Sequence, residues 1–112
     1  MSNDVRFEVE LTHGAQGDLE DIHSYLCEQD ASGAADRLLD GFLELVGTLE
    51  QFPMRGAIPR ELEALGIKEY RQLLLKPYRI IYRIIGSTVF IFLIADGRRD
   101  MQSLLERRLL RR

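Results

Sequence analysis

Three apolar runs between residues 68 and 100 constrain the fold more than any other part of the chain. They are rich in Ile, Leu, Val, Phe and Tyr, the composition of β-strands, and they span Tyr70–Leu75, Tyr78–Ile85 and Thr88–Ala95. Lys76-Pro77 separates the first two runs. Gly86-Ser87 separates the last two and places glycine first, as a two-residue type II′ turn requires. This pattern predicts a three-stranded antiparallel meander.

The rest of the chain carries one further strand pattern and three helix patterns. Apolar and charged residues alternate over Val5–Leu11, which predicts a half-buried strand at the edge of the meander. Apolar residues recur at helical spacing from Ala15 to about Glu28 and over Ala34–Gln51, and the short connection makes these two helices an antiparallel hairpin. Glu61–Leu65 is a short helical turn, and Gln102–Leu110 forms a short C-terminal helix. We therefore predict an α+β fold in one domain over residues 1–112: an N-terminal strand, an α-helical hairpin, a three-stranded antiparallel β-meander and a short C-terminal helix.

The residues of metal and nucleophile sites are scarce in this chain. Cys27 is the only cysteine, which excludes an internal disulfide and favours a reducing compartment; its helical context predicts a buried, inert thiol. His13 and His23 have no ligands at zinc-like spacing and are predicted to be surface residues. We expect no metal site and no cofactor.

The sequence also lacks the patterns of secreted and membrane proteins. Its first ten residues contain no apolar run of a signal peptide, and no segment approaches the roughly 20 apolar residues that span a bilayer. We expect a cytoplasmic protein with no membrane partner.

Charge is divided unevenly between the two halves of the chain. Residues 1–66 hold 14 acidic and 4 basic side chains, whereas residues 67–112 hold 4 acidic and 11 basic ones. This division favours an anionic partner for the second half, either nucleic acid or an acidic protein surface. The alternative is that the arginines pair with the acidic half within the fold.

Arginines supply most of the polar chemistry of the predicted meander. Strand alternation puts Arg79 and Arg83 on the face opposite Tyr78 and Tyr82. If the helical hairpin covers the tyrosine face, Arg79 and Arg83 are expected to converge with Arg71 and Arg99 on one open side. Such a cluster binds phosphate or carboxylate through planar, permanently charged groups, but it is unsuited to proton transfer. We predict that Arg79→Ala or Arg83→Ala alters activity more than folding.

The order and spacing of short motifs resemble the RelE/ParE toxin superfamily over nearly the whole chain. The matching segments are residues 15–25 (AQGDLEDIHSY), Phe52-Pro53-x-x-Gly56, Tyr70-Arg71, residues 78–83 (YRIIYR), residues 96–100 (DGRRD), Leu104-Leu105 and residues 108–110 (RLL). The resemblance implies the toxin of a type II toxin–antitoxin pair, with a strand, two helices, three strands and a short terminal helix.

The resemblance implies one of two activities. The branch resembling RelE cleaves mRNA on the ribosome; its charged positions are matched by Arg71, Arg79 and Arg99. Leu73 stands where that branch has a second basic residue, and Leu105 stands where it has a tyrosine. The branch resembling ParE inhibits DNA gyrase and has no defined catalytic set.

The residues of the first and last motifs are more similar to the ParE branch than to the RelE branch. We therefore predict a gyrase-binding toxin that an antitoxin holds inactive in a hetero-oligomer. An endoribonuclease acting on ribosome-bound mRNA is the alternative. The residues expected to bind the target or the antitoxin are Arg71, Arg79, Arg83, Arg98, Arg99, Leu104, Leu105 and Leu109.

Overall fold

The computed structural model describes residues 6–29 and 33–110, and its elements follow the predicted order. The strands and helices are β1 (Glu8–Leu11), α1 (His13–Gln29), α2 (Ala34–Gln51), α3 (Arg60–Glu63), β2 (Tyr70–Leu75), β3 (Tyr78–Ile85), β4 (Thr88–Asp96) and α4 (Met101–Leu105). A 3-10 turn, Pro53–Arg55, follows α2, and a π-helical turn, Glu106–Leu110, follows α4. The α+β prediction is confirmed. The predicted start of the first strand at Val5 lies outside the described residues.

The sheet has four strands in the order β1-β4-β3-β2. Strands β2, β3 and β4 form the predicted antiparallel meander, and β1 joins its edge by pairing in parallel with β4. Gly86 at the β3–β4 turn has a φ of 63°, the positive value that a primed hairpin turn needs at its first central position. Strand β2 is left at the other edge, where, within the described residues, Ala57 forms the single isolated bridge, to Gln72.

Two capping hydrogen bonds and one proline define where the helices begin and end. The Ala15 N–H donates to Thr12 Oγ1 at 3.2 Å, so Thr12 caps α1. Pro53 follows α2 and prevents its continuation. The Ser103 N–H donates to Asp100 Oδ1 at 3.2 Å, so the last helix begins one residue earlier than predicted.

A β-bulge in β4 interrupts strict alternation. Ile81 lies opposite Leu93 while Tyr82 lies opposite Ile91, so Phe92 is the additional residue. Phe92 and Leu93 therefore contact the same side of the sheet. Asp18 and Arg108 support the bulged backbone: Asp18 Oδ2 accepts from the Ile94 N–H at 3.0 Å, and Arg108 Nη2 donates to the Phe92 carbonyl at 3.1 Å.

Both faces of the sheet are covered. The α1–α2 hairpin packs on one face, where the buried cluster includes Leu49, Ile80, Tyr82 and Ile91. On the opposite face, α3 and the C-terminal segment cover a second cluster of Leu62, Tyr70, Ile81, Leu93, Ala95, Met101, Leu104 and Leu105. The expectation of an open arginine-bearing face is therefore wrong, because the second face has its own apolar cover.

None of the helices within residues 6–29 and 33–110 is long and apolar enough to cross a bilayer.

Candidate partner-binding surface

Arg79 is held by an ion pair inside the fold. Its two terminal nitrogens donate to the carboxylate of Glu61 on α3, each at 2.8 Å, and its Nε donates to Gln72 Oε1 at 2.7 Å. The side chains of Arg79 and Glu61 are only 12% and 17% exposed. This bidentate geometry is the strong form of an arginine–carboxylate pair, and it ties α3 to the sheet.

Arg71 points to the other face of the sheet and holds a loop. It lies opposite Tyr82, and its Nη1 donates to the carbonyls of Met54 and Gly56 at 3.2 and 2.6 Å. The Tyr82 hydroxyl donates to the Pro53 carbonyl at 2.7 Å and accepts from the Gly56 N–H at 2.9 Å. These two side chains fix the loop of residues 53–57 against the edge of β2. We call the contacts of Arg71 and Tyr82 with this loop the loop clamp.

The tyrosine of this clamp is a structural donor. Burial raises the pKa of Tyr82 above its usual value, while the hydrogen bond from Gly56 and the charges of Arg71 and Arg55 act against that rise. Burial is also the main cause that raises the pKa of Tyr78, followed by the charge of Asp96. Both hydroxyls therefore stay protonated at neutral pH.

The remaining predicted arginines lie apart from this clamp. The Arg83 guanidinium lies 5.7 Å from the centre of the Tyr70 ring, a cation–π contact about 13 Å along β3 from Arg79. Arg98 Nη2 donates to Asp96 Oδ2 at 2.6 Å, and this contact is the main cause that lowers the pKa of Asp96 to about 2. Arg99 is exposed and lines a pocket between α1 and the end of β4.

The predicted convergence of Arg71, Arg79, Arg83 and Arg99 is therefore wrong. Strand alternation sends Arg71 and Arg79 to opposite faces of the sheet, and Arg99 follows the end of β4. Internal neutralisation explains part of the charge division between the halves: Arg79 pairs with Glu61, and Arg108 pairs with Asp18 at 3.0 Å.

The terminal leucines pack inward. Leu104 and Leu105 are 4% and 0% exposed, and Leu109 is partly buried against the same cluster. Leu104 and Leu105 thus have no free surface for a partner in this conformation, which corrects their assignment as contact residues. The physical reason is that α4 covers the sheet face that was expected to be open.

One partly apolar surface that remains open lies along the outer edge of β2. A pocket of about 360 Å³ separates this strand from α2, and a second of about 290 Å³ adjoins it at Leu75. We call the two pockets the β2-edge groove; its lining residues are Leu26, Ala34, Arg37, Leu38, Gly41, Glu44, Leu45, Thr48, Arg55, Leu74, Leu75, Lys76, Pro77 and Tyr78. Leu74 is 60% exposed at its rim.

The cations of the groove give it a preferred partner chemistry. Arg55 borders one end and Arg37 and Lys76 border the other, with leucine side chains and one carboxylate, Glu44, between them. A segment that carries apolar anchors and acidic flanks is complementary to this arrangement. The groove, rather than an arginine cluster, is the surface best suited to a protein partner.

Sequence reasoning missed three residues that anchor distant segments of the fold. Glu61 pairs with Arg79, the Tyr82 hydroxyl donates to the Pro53 carbonyl, and Asp18 accepts from the Ile94 N–H. For Leu74 the alternation of β2 was a usable signal, since it places this leucine on the arginine-bearing face. The structure shows that Leu74 is exposed there, at the sheet edge. Cys27 is exposed rather than buried. Within the described parts of the chain, no group of three or more potential metal ligands occurs.

The Glu61–Arg79 pair makes stability depend on pH. The hydrogen bond from Arg79 is the main cause that lowers the pKa of Glu61 from 4.5 to about 2. Because the folded-state pKa is depressed, the pair stabilises the fold fully above about pH 4.5 and loses this contribution as the pH falls towards 2. We expect Glu61→Gln to lower the free energy of unfolding by about 2 kcal/mol at pH 7 and by about half as much near pH 3, because the pair is lost only as the pH falls through about 2.

Denaturant titrations of the wild type and Glu61→Gln at both pH values measure this difference. Glu63→Gln is the matched control, since Glu63 is an exposed neighbour on α3. An equal loss of stability at both pH values in Glu61→Gln would show that the ionised pair is not its cause.

The fold and its contacts define a class of protein. A four-stranded sheet with a helical hairpin on one face and a C-terminal helix on the other is the architecture of the RelE/ParE toxin superfamily, and solved structures show the same fold. One, titled as the chromosomal ParDE toxin–antitoxin system from P. aeruginosa, superposes with a TM-score of 0.65 at 22% identity over 81% of this chain and 96% of that one.

A second solved structure supports the same class. The toxin–antitoxin complex RelBE2 from Mycobacterium tuberculosis superposes with a TM-score of 0.58 at 25% identity over 86% of this chain and 97% of that chain. Among characterised sequences, Toxin ParE3 of Caulobacter vibrioides is 28% identical over 94 residues, which cover 84% of this chain and 90% of the relative.

Residues 9–101 match the family model described as the ParE toxin of the type II toxin–antitoxin system parDE. The chain belongs to this family, and it is a toxin of a type II toxin–antitoxin system within the ParE/RelE superfamily. The resemblance drawn from the sequence is confirmed.

Proposed function

We propose that this toxin acts by binding DNA gyrase and blocking replication, and that a cognate antitoxin holds it inactive in the cytoplasm. The observation that carries the proposal is the separation of the arginines that match the nuclease branch. Arg71 donates to the carbonyls of a loop on one face, whereas Arg79 forms an ion pair with Glu61 on the other. Both guanidinium groups are therefore engaged in contacts within the chain.

The chemistry of RNA cleavage makes this separation significant. Attack by a 2′-hydroxyl needs a group that removes its proton, a cation beside the phosphate and a proton donor for the leaving oxygen. Leu105, at the position of the expected tyrosine, is buried in the core, and the hydroxyl of Tyr82 is bonded to the loop. These contacts favour a toxin that works by binding.

The antitoxin partner is supported by the relatives and by the groove. The two solved relatives are titled as toxin–antitoxin systems or complexes. In this chain, the β2-edge groove combines apolar floor and basic ends, which suits an extended segment with apolar anchors and acidic flanks. We place the antitoxin segment in this groove.

Two reactions run side by side test the activity. The purified toxin is expected to inhibit gyrase supercoiling and to leave ribosome-bound mRNA intact, and addition of the antitoxin is expected to restore supercoiling. Codon-specific cuts in the message with unaffected supercoiling would support the endoribonuclease instead.

A pair of leucine variants tests the groove. Leu74→Asp places a carboxylate at the groove rim. It is expected to weaken antitoxin binding by about tenfold or more, because the bound segment would bury this charge and the acidic flanks of the segment would repel it. Leu43→Asp is the matched control, since Leu43 is equally exposed on α2 but does not line the groove. Affinity measured by calorimetry should be near that of the wild type for Leu43→Asp. Equal losses in both variants would place the antitoxin elsewhere.

A further inference from the structure

A second cavity adjoins the β2-edge groove on the other face of the sheet. It has a volume of about 420 Å³, and its lining residues are Ile58, Arg60, Gln72, Leu74, Arg79 and Gly97. Arg60 begins α3, so we call this cavity the α3 pocket. Leu74 lines both the α3 pocket and the groove, and its side chain is 60% exposed. A segment that lies over Leu74 therefore reaches both cavities.

The α3 pocket carries an excess of positive charge. Both terminal nitrogens of Arg79 donate to the carboxylate of Glu61, each at 2.8 Å, so this carboxylate neutralises Arg79. Arg60 is exposed, and within the described parts of the chain it forms no ion pair within 4.0 Å, either with Glu61 or with Glu63 on the same helix. The two arginines thus share one carboxylate, and the guanidinium of Arg60 is available to an external anion.

The chemistry of the α3 pocket fits a carboxylate that belongs to a partly apolar segment. A guanidinium binds a carboxylate through two parallel hydrogen bonds. Ile58 and Leu74 line the same pocket as Arg60 and offer apolar contact to the rest of the segment. The β2-edge groove favours the same combination of apolar and acidic side chains, because leucine side chains and basic ends line it. One continuous segment is therefore complementary to both cavities.

We propose that the antitoxin segment in the β2-edge groove continues over Leu74 into the α3 pocket, where one of its carboxylates pairs with Arg60. This inference rests on the proposed binding of the antitoxin in the groove. It adds a contact on the second face of the sheet, so the partner binds the β2 edge from both sides. Since Arg60 is exposed, the ion pair speeds association and makes the affinity depend on salt.

Charge reversal at Arg60 tests the contact with the full toxin and its full cognate antitoxin. Arg60→Ala is expected to weaken binding by about two- to fivefold, the range of an exposed ion pair. Arg60→Glu is expected to weaken it by about tenfold, because the new carboxylate also repels the acidic partner. Arg107→Glu is the matched control, since Arg107 is likewise exposed but lines neither cavity. Its affinity, measured by calorimetry, should equal that of the wild type.

Salt dependence and charge-reversed antitoxins identify the ion pair. Rising salt concentration should weaken wild-type binding more than the binding of Arg60→Ala, because salt screens an exposed pair. Each acidic residue of the antitoxin is then replaced by lysine in turn. One of these antitoxin variants should bind Arg60→Glu more tightly than the unmodified antitoxin does. If no lysine variant restores affinity, Arg60 has no carboxylate partner and the proposed contact is wrong.

Lys76→Glu separates failure of this contact from failure of the groove. Lys76 is exposed and lines the groove but not the α3 pocket, and its variant has the same change of charge. Loss of affinity in both Lys76→Glu and Arg60→Glu supports the continuous path. Loss in Lys76→Glu alone overturns the contact in the α3 pocket and retains the groove. Loss in Arg60→Glu alone, or in neither variant, overturns the placement in the groove.

Two further measurements exclude other causes of a loss. Because the side chains of Arg60 and Lys76 are exposed, circular dichroism is expected to show folded variants. Gyrase inhibition by Arg60→Glu without antitoxin should match that of the wild type. Weaker gyrase inhibition with unchanged antitoxin affinity would assign Arg60 to the target and overturn the proposal.

Discussion

Replacing Gly56 with alanine is expected to destabilise the fold by about 3 kcal/mol, through overpacking and the loss of the hydrogen bonds of Tyr82. An added Cβ would lie 2.5 Å from the Tyr82 hydroxyl oxygen and 2.6 Å from the Gln72 carbonyl oxygen. The backbone oxygen belongs to β2 and cannot turn aside. The φ of Gly56 is −79°, which alanine adopts readily, so the cost is steric rather than conformational.

Gly47→Ala is the matched control for this prediction. Gly47 lies within α2, and an added Cβ meets no heavy atom within 4 Å. Alanine at this position is expected to raise the free energy of unfolding by about 0.5 to 1 kcal/mol, because it restricts the unfolded chain and favours the helix. Denaturant unfolding of both variants measures the contrast. A Gly56→Ala protein as stable as the wild type would show that the loop of residues 53–57 is not clamped to the sheet.

The second large effect is expected at Leu105. Truncation to alanine removes a fully buried side chain from the cluster beneath α4 and should cost about 3 kcal/mol, from lost burial and the cavity that remains. Leu110→Ala is the control, since Leu110 is 38% exposed, and its cost is expected to stay within about 0.5 kcal/mol.

The pair of variants also separates a folding role from a binding role for the terminal leucines. If Leu105 acts within the core, Leu105→Ala lowers the unfolding midpoint even without an antitoxin. Antitoxin affinity, measured below the unfolding transition, should change little. Unchanged stability with a large loss of antitoxin affinity would instead restore Leu105 as a contact residue.

Local sequence patterns were sufficient for the elements of the meander and for the two faces of β3. The apolar runs and the turns at Lys76-Pro77 and Gly86-Ser87 determine three strands, because strand composition and turn chemistry act over a few residues. Period-two alternation correctly separated Tyr82, on the hairpin side, from Ile81, on the opposite side. Helical periodicity likewise predicted the two helices of the α1–α2 hairpin, because this pattern also acts over a few residues.

The roles of the charged residues were beyond such patterns. Arg79 and Glu61 are 18 residues apart, and Asp18 and Arg108 are 90 residues apart. Each pair forms only because separate elements pack on the same part of the sheet. A surplus of arginine therefore indicated anion binding, but it did not distinguish an external anion from a carboxylate of the chain itself.

The sequence by itself determined the element order, the alternation of faces along β3 and the family, since these follow from local periodicity and from motifs that lie close together in the chain. The tertiary structure decided which surfaces remain available. It placed α3 and α4 over the second face of the sheet, buried Leu105, divided Arg71 from Arg79, and left the edge of β2 exposed. Burial and ion pairing are properties of the packed layers, because they depend on which distant segments cover a side chain once the whole fold has formed.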